Sequence, residues 1–234
     1  MMNSNLKILI ACEESQAVTI EFRKLGFDAY SCDLMDCSGG HSEWHIRGDV
    51  LEVIGRGWDV MIAFPPCTHL AVSGAAWFEE KRKDGRQQEG IDFFMAMINA
   101  PVKHIAVENP VGIMSSVYRK PDQVIQPYYF GDPYQKTTCL WFKNLPHLYH
   151  NDRPNLFDEN VTHTHKGEFY EWTDKKTGKK KKQPMWYAEA FMKYDKAGET
   201  GKVRSKTFPG IAKAMAQQWG EYLTAKNKQN ETER

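Results

Sequence analysis

Short apolar runs that each stop at a polar or proline-containing turn constrain the fold more than any other feature of the sequence. The clearest runs are residues 6–11, 58–64 and 104–107, and residues 28–32 form a weaker one. The segments between them carry apolar residues at the spacing of a helix, as residues 18–25 do after the first run. Strands that alternate with helices predict an α/β fold with a mostly parallel sheet and helices on both faces.

Four polar or reactive side chains follow these predicted strands. Cys12 and Asp33 come after the first two strands, and the proline pair before Cys67 ends the third, because proline cannot donate a hydrogen bond within a central strand pair. Glu108 follows the fourth strand. Ligands of open parallel sheets bind beyond the carboxyl ends of the strands. We therefore expect these four residues to meet at one edge of the sheet and to form the functional site.

The second half of the chain differs in composition. Residues 146–204 are polar, lysine-rich and dotted with aromatic residues without a clear period, and they predict a small lobe on a core of residues 1–145. Residues 205–225 include an amphipathic pattern opened by proline, which predicts a helix that returns to the core. Residues 226–234 are predicted to be a frayed tail. A chain of 234 residues can bury one core with such a lobe.

Composition excludes several classes of protein. No apolar run is long enough for a membrane span or a signal peptide, which predicts a soluble cytoplasmic protein. We interpret the five cysteines, an odd number, as reduced thiols. The cysteines and histidines of residues 32–45 do not follow a standard zinc spacing, so no metal is expected. The net charge of +1 does not indicate a nucleic-acid partner, and the lysine run at residues 175–182 suits either a solvated loop or a phosphate-binding surface.

Five segments resemble, in order, the motifs of DNA cytosine-5 methyltransferases. They are Gly48-Asp49-Val50, the stretch from Pro66-Cys67 to Gly74, Glu108-Asn109-Pro110, residues 131–138 and residues 205–211. The chain is similar to that family from residue 6 to residue 223, apart from the lobe, and looks like a small phage or prophage member. The resemblance implies the Rossmann-like fold of S-adenosylmethionine-dependent methyltransferases. It also implies a cytosine in double-stranded DNA, flipped out of the helix, as the substrate.

The resemblance further implies roles for individual residues. Cys67 would be the nucleophile that adds to C6 of cytosine before methyl transfer from S-adenosylmethionine to C5, and Glu108 would stabilise the charge that this attack creates. Lys136 and Pro66 complete the implied catalytic set. The implied cofactor-binding residues are Cys12, Glu13, Ser15, Asp33, Asp49 and Pro65. The implied substrate-binding residues are Asn109, Ser73, Gly74, Thr138 and Arg119.

Three departures from the family pattern leave other functions open. The first loop, residues 11–15, lacks the family's glycines, the paired arginines are replaced by Lys136 and Thr138, and the lobe is short. One alternative is a pyrimidine-modifying enzyme that uses another one-carbon donor or a free nucleotide. Another is a catalytically inactive relative that binds DNA or a protein through the lysine-rich lobe. Taken singly, Asp33 also suits a turn and Asp49 a helix cap.

Overall fold

The computed structural model describes residues 6–150, 164–193, 205 and 207–232. They form two compact units. The first contains the described residues of Met1–Ile125, Thr137–Tyr149 and Ala212–Arg234, and the second contains those of Gln126–Lys136 and His150–Ile211. The second unit thus differs from the predicted lobe of residues 146–204: it begins at residue 150, extends to residue 211 and also includes residues 126–136. These residues form the connection between two neighbouring strands and leave the sheet.

The first unit is built on a seven-stranded sheet. Its strands are β1 (Lys7–Ala11), β2 (Asp28–Asp33), β3 (His45–Arg47), β4 (Val60–Ala63), β5 (His104–Pro110), β6 (Gln123–Ile125) and β7 (Thr138–Lys143). They lie in the order β3-β2-β1-β4-β5-β7-β6. The first five strands are parallel, and β7 runs antiparallel to its neighbours β5 and β6. The predicted α/β fold with a mostly parallel, Rossmann-like sheet is confirmed.

Helices connect the strands. The α-helices are α1 (Ala17–Lys24), α2 (Phe78–Lys83), α3 (Arg86–Ile98), α4 (Met114–Val117), α5 (Met185–Lys193), α6 (Pro209–Ala214) and α7 (Gly220–Thr232). Short 3-10 segments lie at Ser42–Trp44, Val50–Glu52, Val72–Trp77 and Pro127–Phe130, and a π-helical turn, Met215–Trp219, joins α6 to α7. α1 ends just before Gly26, whose φ of 89° lets the chain turn back into β2.

Apolar side chains cover both faces of the sheet. On one face Leu9 of β1 belongs to a core that includes residues of α3. In this core Phe94 of α3 packs edge to face against Trp141 of β7, at a centroid distance of 5.1 Å. On the other face Phe22 of α1 packs edge to face against Phe27 at 5.6 Å. Burial on both sides explains why the strands are continuous apolar runs rather than alternating ones.

The C-terminal segment returns to the first unit as a helix. Trp219 is fully buried, and its Nε1 donates to the carbonyl oxygen of Pro146 at 2.9 Å. A Cβ at Gly220 would lie 2.8 Å from the ring of Phe27, so glycine is needed for this close approach. The helix continues to Thr232, which corrects the predicted frayed tail from residue 226. Exposed residues extend an anchored helix at little cost, because nucleation is the expensive step.

The second unit contains a β-hairpin followed by a helix. Strands β8 (Phe169–Thr173) and β9 (Lys180–Pro184) pair antiparallel, and the lysine run of residues 175–182 forms the turn and much of β9. Tyr170 and Trp172 of β8 stack at a centroid distance of 5.9 Å. α5 follows β9 directly. The sequence showed no clear period here because a hairpin of mostly exposed residues does not require apolar and polar side chains to alternate.

None of the five cysteines, all of which lie in the described parts of the chain, forms a disulfide. None of the helices in the described parts of the chain is both long enough and apolar enough to cross a membrane.

Candidate functional site

Three strands, β1, β2 and β4, end at about one level of the sheet, and β5 passes through the same level. The register pairs Ala11 of β1 with Cys32 of β2 and with Ala63 of β4, and it pairs Ala63 with Val107 of β5. The residues predicted to form the site come next in the chain, namely Cys12, Asp33, Phe64-Pro65-Pro66-Cys67 and Glu108. They share one edge, because parallel strands in register place their carboxyl ends together.

The order of the sheet reverses at this edge. The chain moves from β1 outward to β2 and β3, and then crosses to β4 on the other side of β1. Ligands of open α/β sheets bind in the crevice at such a reversal. Cys12 follows β1 and Pro65 follows β4, so the residues singled out from the sequence flank the crevice.

Cys67 begins a tight turn, residues 67–71, which we call the Cys67 turn. Its carbonyl oxygen accepts hydrogen bonds from the backbone N–H groups of Leu70 at 3.0 Å and Ala71 at 2.9 Å. Pro65 is buried, Pro66 is exposed and Cys67 is half-buried. The thiol is therefore carried on a short turn that the backbone holds at the edge of the sheet.

Asn109 joins the two segments that were predicted to be catalytic. Its Nδ2 donates to the carbonyl oxygen of Pro65 at 3.0 Å, in the interior. Its Oδ1 is buried and accepts no hydrogen bond from the residues that the structure describes. Because a buried amide oxygen without a donor is unfavourable, Oδ1 is a candidate acceptor for a group of the substrate.

A short backbone ladder continues this connection. The N–H of Val72 donates to the carbonyl oxygen of Val111, and the N–H of Ile113 donates to that of Leu70, each at 3.0 Å. At Gly112, between them, a Cβ would lie 2.4 Å from the carbonyl oxygen of Leu70. Real Cβ atoms do not approach a backbone atom so closely. Glycine therefore permits the Cys67 turn and the end of β5 to lie side by side.

Glu108 lies on β5 beyond the level at which β4 ends. It pairs with Leu140 of β7. Burial, followed by the charge of Glu108, raises the pKa of the nearby Cys139 thiol to about 11. The predicted substrate residue Thr138 is buried and pairs with Pro110. β5 thus runs to Pro110 rather than ending at residue 107, because β7 pairs with it along this whole length.

The predicted cofactor residues Asp33 and Asp49 lie near Cys12. The φ of Cys12 is 59°, the left-handed region that glycine adopts without strain. Burial raises the pKa of the Cys12 thiol, and Asp33, Cys32 and Asp49 raise it further in that order. The first loop thus has a glycine-like backbone although its residue is cysteine, and two carboxylates lie close to it.

Each of these aspartates also holds a local turn. Oδ1 of Asp33 accepts from the N–H of Met35 at 3.0 Å, and Oδ1 of Asp49 accepts from the N–H of Leu51 at 2.9 Å. These are the turn and cap roles that the sequence suggested as alternatives. The second oxygen of each carboxylate makes no hydrogen bond to the described residues and is available to a ligand.

Glu13 is buried and turned towards the start of α1. Its Oε1 accepts from the N–H of Val18 at 2.6 Å, and its Oε2 accepts from the N–H and hydroxyl of Thr19 at 3.3 and 2.7 Å. Burial raises the pKa of Glu13 to about 7, against these hydrogen bonds, which favour the anion. The Ser15 hydroxyl accepts only a long bond, 3.4 Å, from the N–H of Ala17. Glu13 is thus the helix cap, and cofactor contact by Glu13 or Ser15 stays a prediction.

Arg119 is engaged in a structural ion pair. Its guanidinium makes two hydrogen bonds to Asp122, at 2.8 and 2.7 Å, and one to the carbonyl oxygen of Phe142 at 3.2 Å. Phe142 pairs with Ala106, on β5 several residues before Pro110. These contacts commit Arg119 to holding β7, and its role in substrate binding stays a prediction.

The remaining predicted residues divide between the units. Ser73 and Gly74 lie in the 3-10 segment Val72–Trp77 that follows the Cys67 turn, with Ser73 exposed. Lys136 belongs to the second unit, where its backbone N–H donates to the side chain of Gln126 at 3.0 Å. The catalytic role of Lys136 stays a prediction.

Two residues of this region were not predicted from the sequence. One is Gly112, and the other is Lys81 of α2, which is buried and donates to the carbonyl oxygen of Thr68 at 2.6 Å. A glycine two residues after Pro110 was a visible signal, because a glycine beside a strand often marks a close backbone approach. Lys81 lies in a run of charged residues, and nothing local distinguishes it from its neighbours.

The side chains considered for zinc take part in separate hydrogen bonds. The two ring nitrogens of His45 contact the hydroxyl of Ser31 and the carbonyl oxygen of Met35, both at 2.8 Å. Sγ of Cys32 donates to the carbonyl oxygen of Gly48 at 3.6 Å. Within the described ranges no group of three or more His, Cys, Asp or Glu residues could hold a metal ion.

Comparisons with known proteins place few constraints on the chain. No protein-family model matches it, and no curated protein sequence matches it. Among solved structures, a triple mutant of DNMT2 from Spodoptera frugiperda is similar, with a TM-score of 0.39 and 15% sequence identity. The match covers 64% of this chain and 54% of that chain, so the protein spans about half the length of this structural neighbour.

Proposed function

We propose that this protein methylates C5 of cytosine in DNA, with Cys67 as nucleophile, Glu108 as its acid partner and S-adenosylmethionine as methyl donor. One observation carries the proposal. The segment of Cys67 leaves β4 at the level at which Glu108 continues along the adjacent strand β5, and the Asn109 side chain joins the two there. Two segments that the family resemblance assigns to one reaction thus meet beside the crevice where α/β sheets bind ligands.

A thiolate and an acid suit this reaction because C5 of cytosine is a poor nucleophile. Attack of Cys67 Sγ on C6 forms the S–C6 bond and shifts ring electrons to C5, which becomes enamine-like. Glu108 stabilises the negative charge by a proton or hydrogen bond given to N3. Once C5 carries the methyl group, its proton leaves to a base, and the S–C6 electrons return to the thiolate as the ring becomes aromatic again.

The edge around Cys12 suits the proposed cofactor. The second oxygens of Asp33 and Asp49 can accept hydrogen bonds from ribose hydroxyls and the adenine amine. S-adenosylmethionine, when bound, supplies an electrophilic methyl group. The raised pKa keeps the Cys12 thiol neutral, so it does not compete with Cys67 as a nucleophile.

The cofactor pocket can be tested with two variants. Asp33→Asn and Asp49→Asn should each weaken binding of S-adenosylmethionine and S-adenosylhomocysteine by about 1–3 kcal/mol, the scale of removing one hydrogen bond to a charged group. Asparagine keeps the oxygen that accepts from the backbone, so each local turn persists. Isothermal titration calorimetry measures the affinities. Asp36→Asn is the matched control, because Asp36 is exposed in the same loop and pairs with Arg47.

Two outcomes of the calorimetry would contradict the proposal. If the wild type binds the cofactor and both variants bind it equally well, the pocket lies elsewhere. If the wild type binds neither compound, S-adenosylmethionine is not the donor.

A second candidate function keeps Cys67 and Glu108 but uses another one-carbon donor or a free nucleotide. The first loop favours it, because Cys12 carries a side chain at a glycine-like position and the carboxylate of Glu13 is occupied by α1. Absence of S-adenosylmethionine binding, together with a covalent adduct on a free 5-fluorinated pyrimidine nucleotide, would support this candidate.

We also propose that the hairpin of the second unit contacts DNA phosphates. Six exposed lysines lie on its turn and on β9, namely Lys175, Lys176, Lys179, Lys180, Lys181 and Lys182. Asp174 pairs with one of them, Lys181. The stacked Tyr170 and Trp172 add an aromatic surface of the kind that contacts bases and sugars.

Replacing these six lysines with glutamine should lower DNA affinity for all sequences and flatten its salt dependence. The slope of log K against log salt should fall by roughly 0.9 for each phosphate that the variant no longer neutralises, because each neutralised phosphate releases counterions. Fluorescence anisotropy over a salt series measures the slope. The control replaces six exposed lysines of the first unit and changes the net charge equally, namely Lys24, Lys83, Lys103, Lys120, Lys226 and Lys228. Equal slopes of log K against log salt for the two variants would show that the hairpin is a solvated loop that does not contact phosphates.

A further inference from the structure

Lys81 is a buried cation beneath the segment that begins with Cys67. Its side chain lies on α2, and the residue is 8% exposed. The Nζ donates to the carbonyl oxygen of Thr68, the residue after Cys67, at 2.6 Å. A Cβ at Gly74 would lie 3.4 Å from the same Nζ. The ammonium group therefore bonds to the start of the segment from Cys67 to Gly74 and lies close to its end.

Lys81 is the charged residue of its helix that is buried, and it has no ion-pair partner within the part of the chain that the structure describes. Its neighbours Glu79 and Glu80 form ion pairs at the surface, with Lys83 at 2.8 Å and with Arg86 at 2.6 Å. Burying an ammonium without a nearby anion is costly. A buried ammonium without an ion pair does not stabilise α2. A negatively charged group that forms at the site would offset the cost of burying it.

We propose that Lys81 is a positioning residue for the nucleophile: its ammonium holds the peptide after Cys67 in place and favours the thiolate of Cys67 over the thiol. The inference rests on the proposed role of Cys67. A cation close to a cysteine stabilises the thiolate, which is the reactive form. The hydrogen bond holds the ammonium at Thr68, the residue that follows Cys67. Burial limits the screening of its charge by salt.

Other titratable groups also belong to the elements around Cys67. The Cys67 turn itself carries His69, whose Nδ1 is buried and has no hydrogen-bond partner among the described residues. β5 contributes Glu108, which opposes a thiolate when its carboxyl group is ionised. The edge after β1 contributes Cys12, with Asp33 and Asp49 beside it. Lys81 is the buried cation among these groups, so it is the side chain that offsets their negative charges.

The test is the pH dependence of alkylation of Cys67 by iodoacetamide, followed by peptide mass spectrometry. In Lys81→Gln, which keeps a hydrogen-bond donor but loses the charge, the midpoint of the Cys67 profile should rise by about one pH unit. Lys81→Arg should restore the wild-type midpoint. Lys83→Gln is the matched control, because Lys83 is exposed on the same helix. The reactivity of Cys37 in the same molecules reports whether the fold is intact.

A wild-type midpoint in Lys81→Gln with unchanged Cys37 reactivity would overturn the proposal, as would a shifted midpoint in Lys81→Arg as large as that in Lys81→Gln. If Lys81→Gln does not unfold cooperatively, Lys81→Met, whose apolar side chain suits the buried position, takes its place. Alkylation needs neither cofactor nor nucleic acid. A protein that fails to methylate DNA but shows the shift would therefore contradict the proposed function and leave the link between Lys81 and Cys67 intact.

Discussion

Incubation of the protein with S-adenosylmethionine and an oligonucleotide containing 5-fluorocytosine should leave a covalent protein–DNA complex that survives denaturing electrophoresis. Fluorine at C5 cannot leave as a proton does, so the reaction stops after methyl transfer with Cys67 still bonded to C6. Cys67→Ser should abolish the complex, because a serine hydroxyl is a far weaker nucleophile at neutral pH. Cys37→Ser is the matched control, because Cys37 is half-buried like Cys67, and this variant should leave the complex unchanged.

Glu108→Gln should slow formation of the same complex by about 10²–10⁴-fold, the contribution typical of a general acid. The amide keeps the size of the side chain but cannot supply a proton to the ring. A complex that persists in Cys67→Ser would move the nucleophile to Cys12 or Cys139, whose raised pKa values make them poorer candidates. No complex on DNA or on free fluorinated nucleotides, in a protein that binds the cofactor, would favour the inactive relative that binds DNA or a protein.

Gly112→Ala should reduce both the stability of the protein and the rate of complex formation. The new Cβ would meet the Leu70 carbonyl oxygen at 2.4 Å and the carbonyl carbon at 3.0 Å, so one backbone segment must move. Overpacking of this kind lowers the free energy of unfolding by about 1–3 kcal/mol. If the Cys67 turn is the segment that moves, a displacement near 1 Å can lower the reaction rate by about 10²-fold. Urea unfolding and the trapping rate measure the two effects.

Gly55→Ala is the matched control for this prediction, because nothing lies within 4 Å of the Cβ that it would add. It should leave both quantities unchanged. If Gly112→Ala lowers stability but not the trapping rate, the ladder between Leu70 and Ile113 would be structural alone, and the position of Cys67 would not depend on it.

The sequence predicted which residues lie at the carboxyl edge of the sheet, because the signals that mark the end of a strand are local. Each strand is a short apolar run, and the residue that follows it must lie at the carboxyl end whatever the rest of the chain does. Cys12, Asp33 and Glu108 were placed at one level in this way, and the register agrees, although Asp33 is the last residue of β2 and β5 continues past Glu108 to Pro110. Proline after β4 added a second local signal, since Pro65 and Pro66 cannot continue a central strand.

Helix ends and hairpins were predicted less well, for reasons that are also physical. Ser15 stood at the usual position for a helix cap, but the longer side chain of Glu13 reaches the N–H groups of Val18 and Thr19 from inside the fold. The hairpin of β8 and β9 carried no period because its residues are mostly exposed. The last turns of α7 have weak apolar patterning, and they stay helical because Trp219 and Leu223 anchor the helix.

The sequence by itself determined the α/β class, the strands and the residues that meet near their carboxyl ends. The spacing of apolar residues and the residues that end a strand are signals that extend over only a few positions. Only the tertiary structure decided which groups support that edge. Gly112 is required because a chain segment 42 residues away, at Leu70, lies against it. Lys81 is buried because the segment from Thr68 to Gly74 folds over α2, whereas its equally charged neighbours remain at the surface. Burial and close backbone contact depend on what packs against a residue, and that is set by segments distant in the chain.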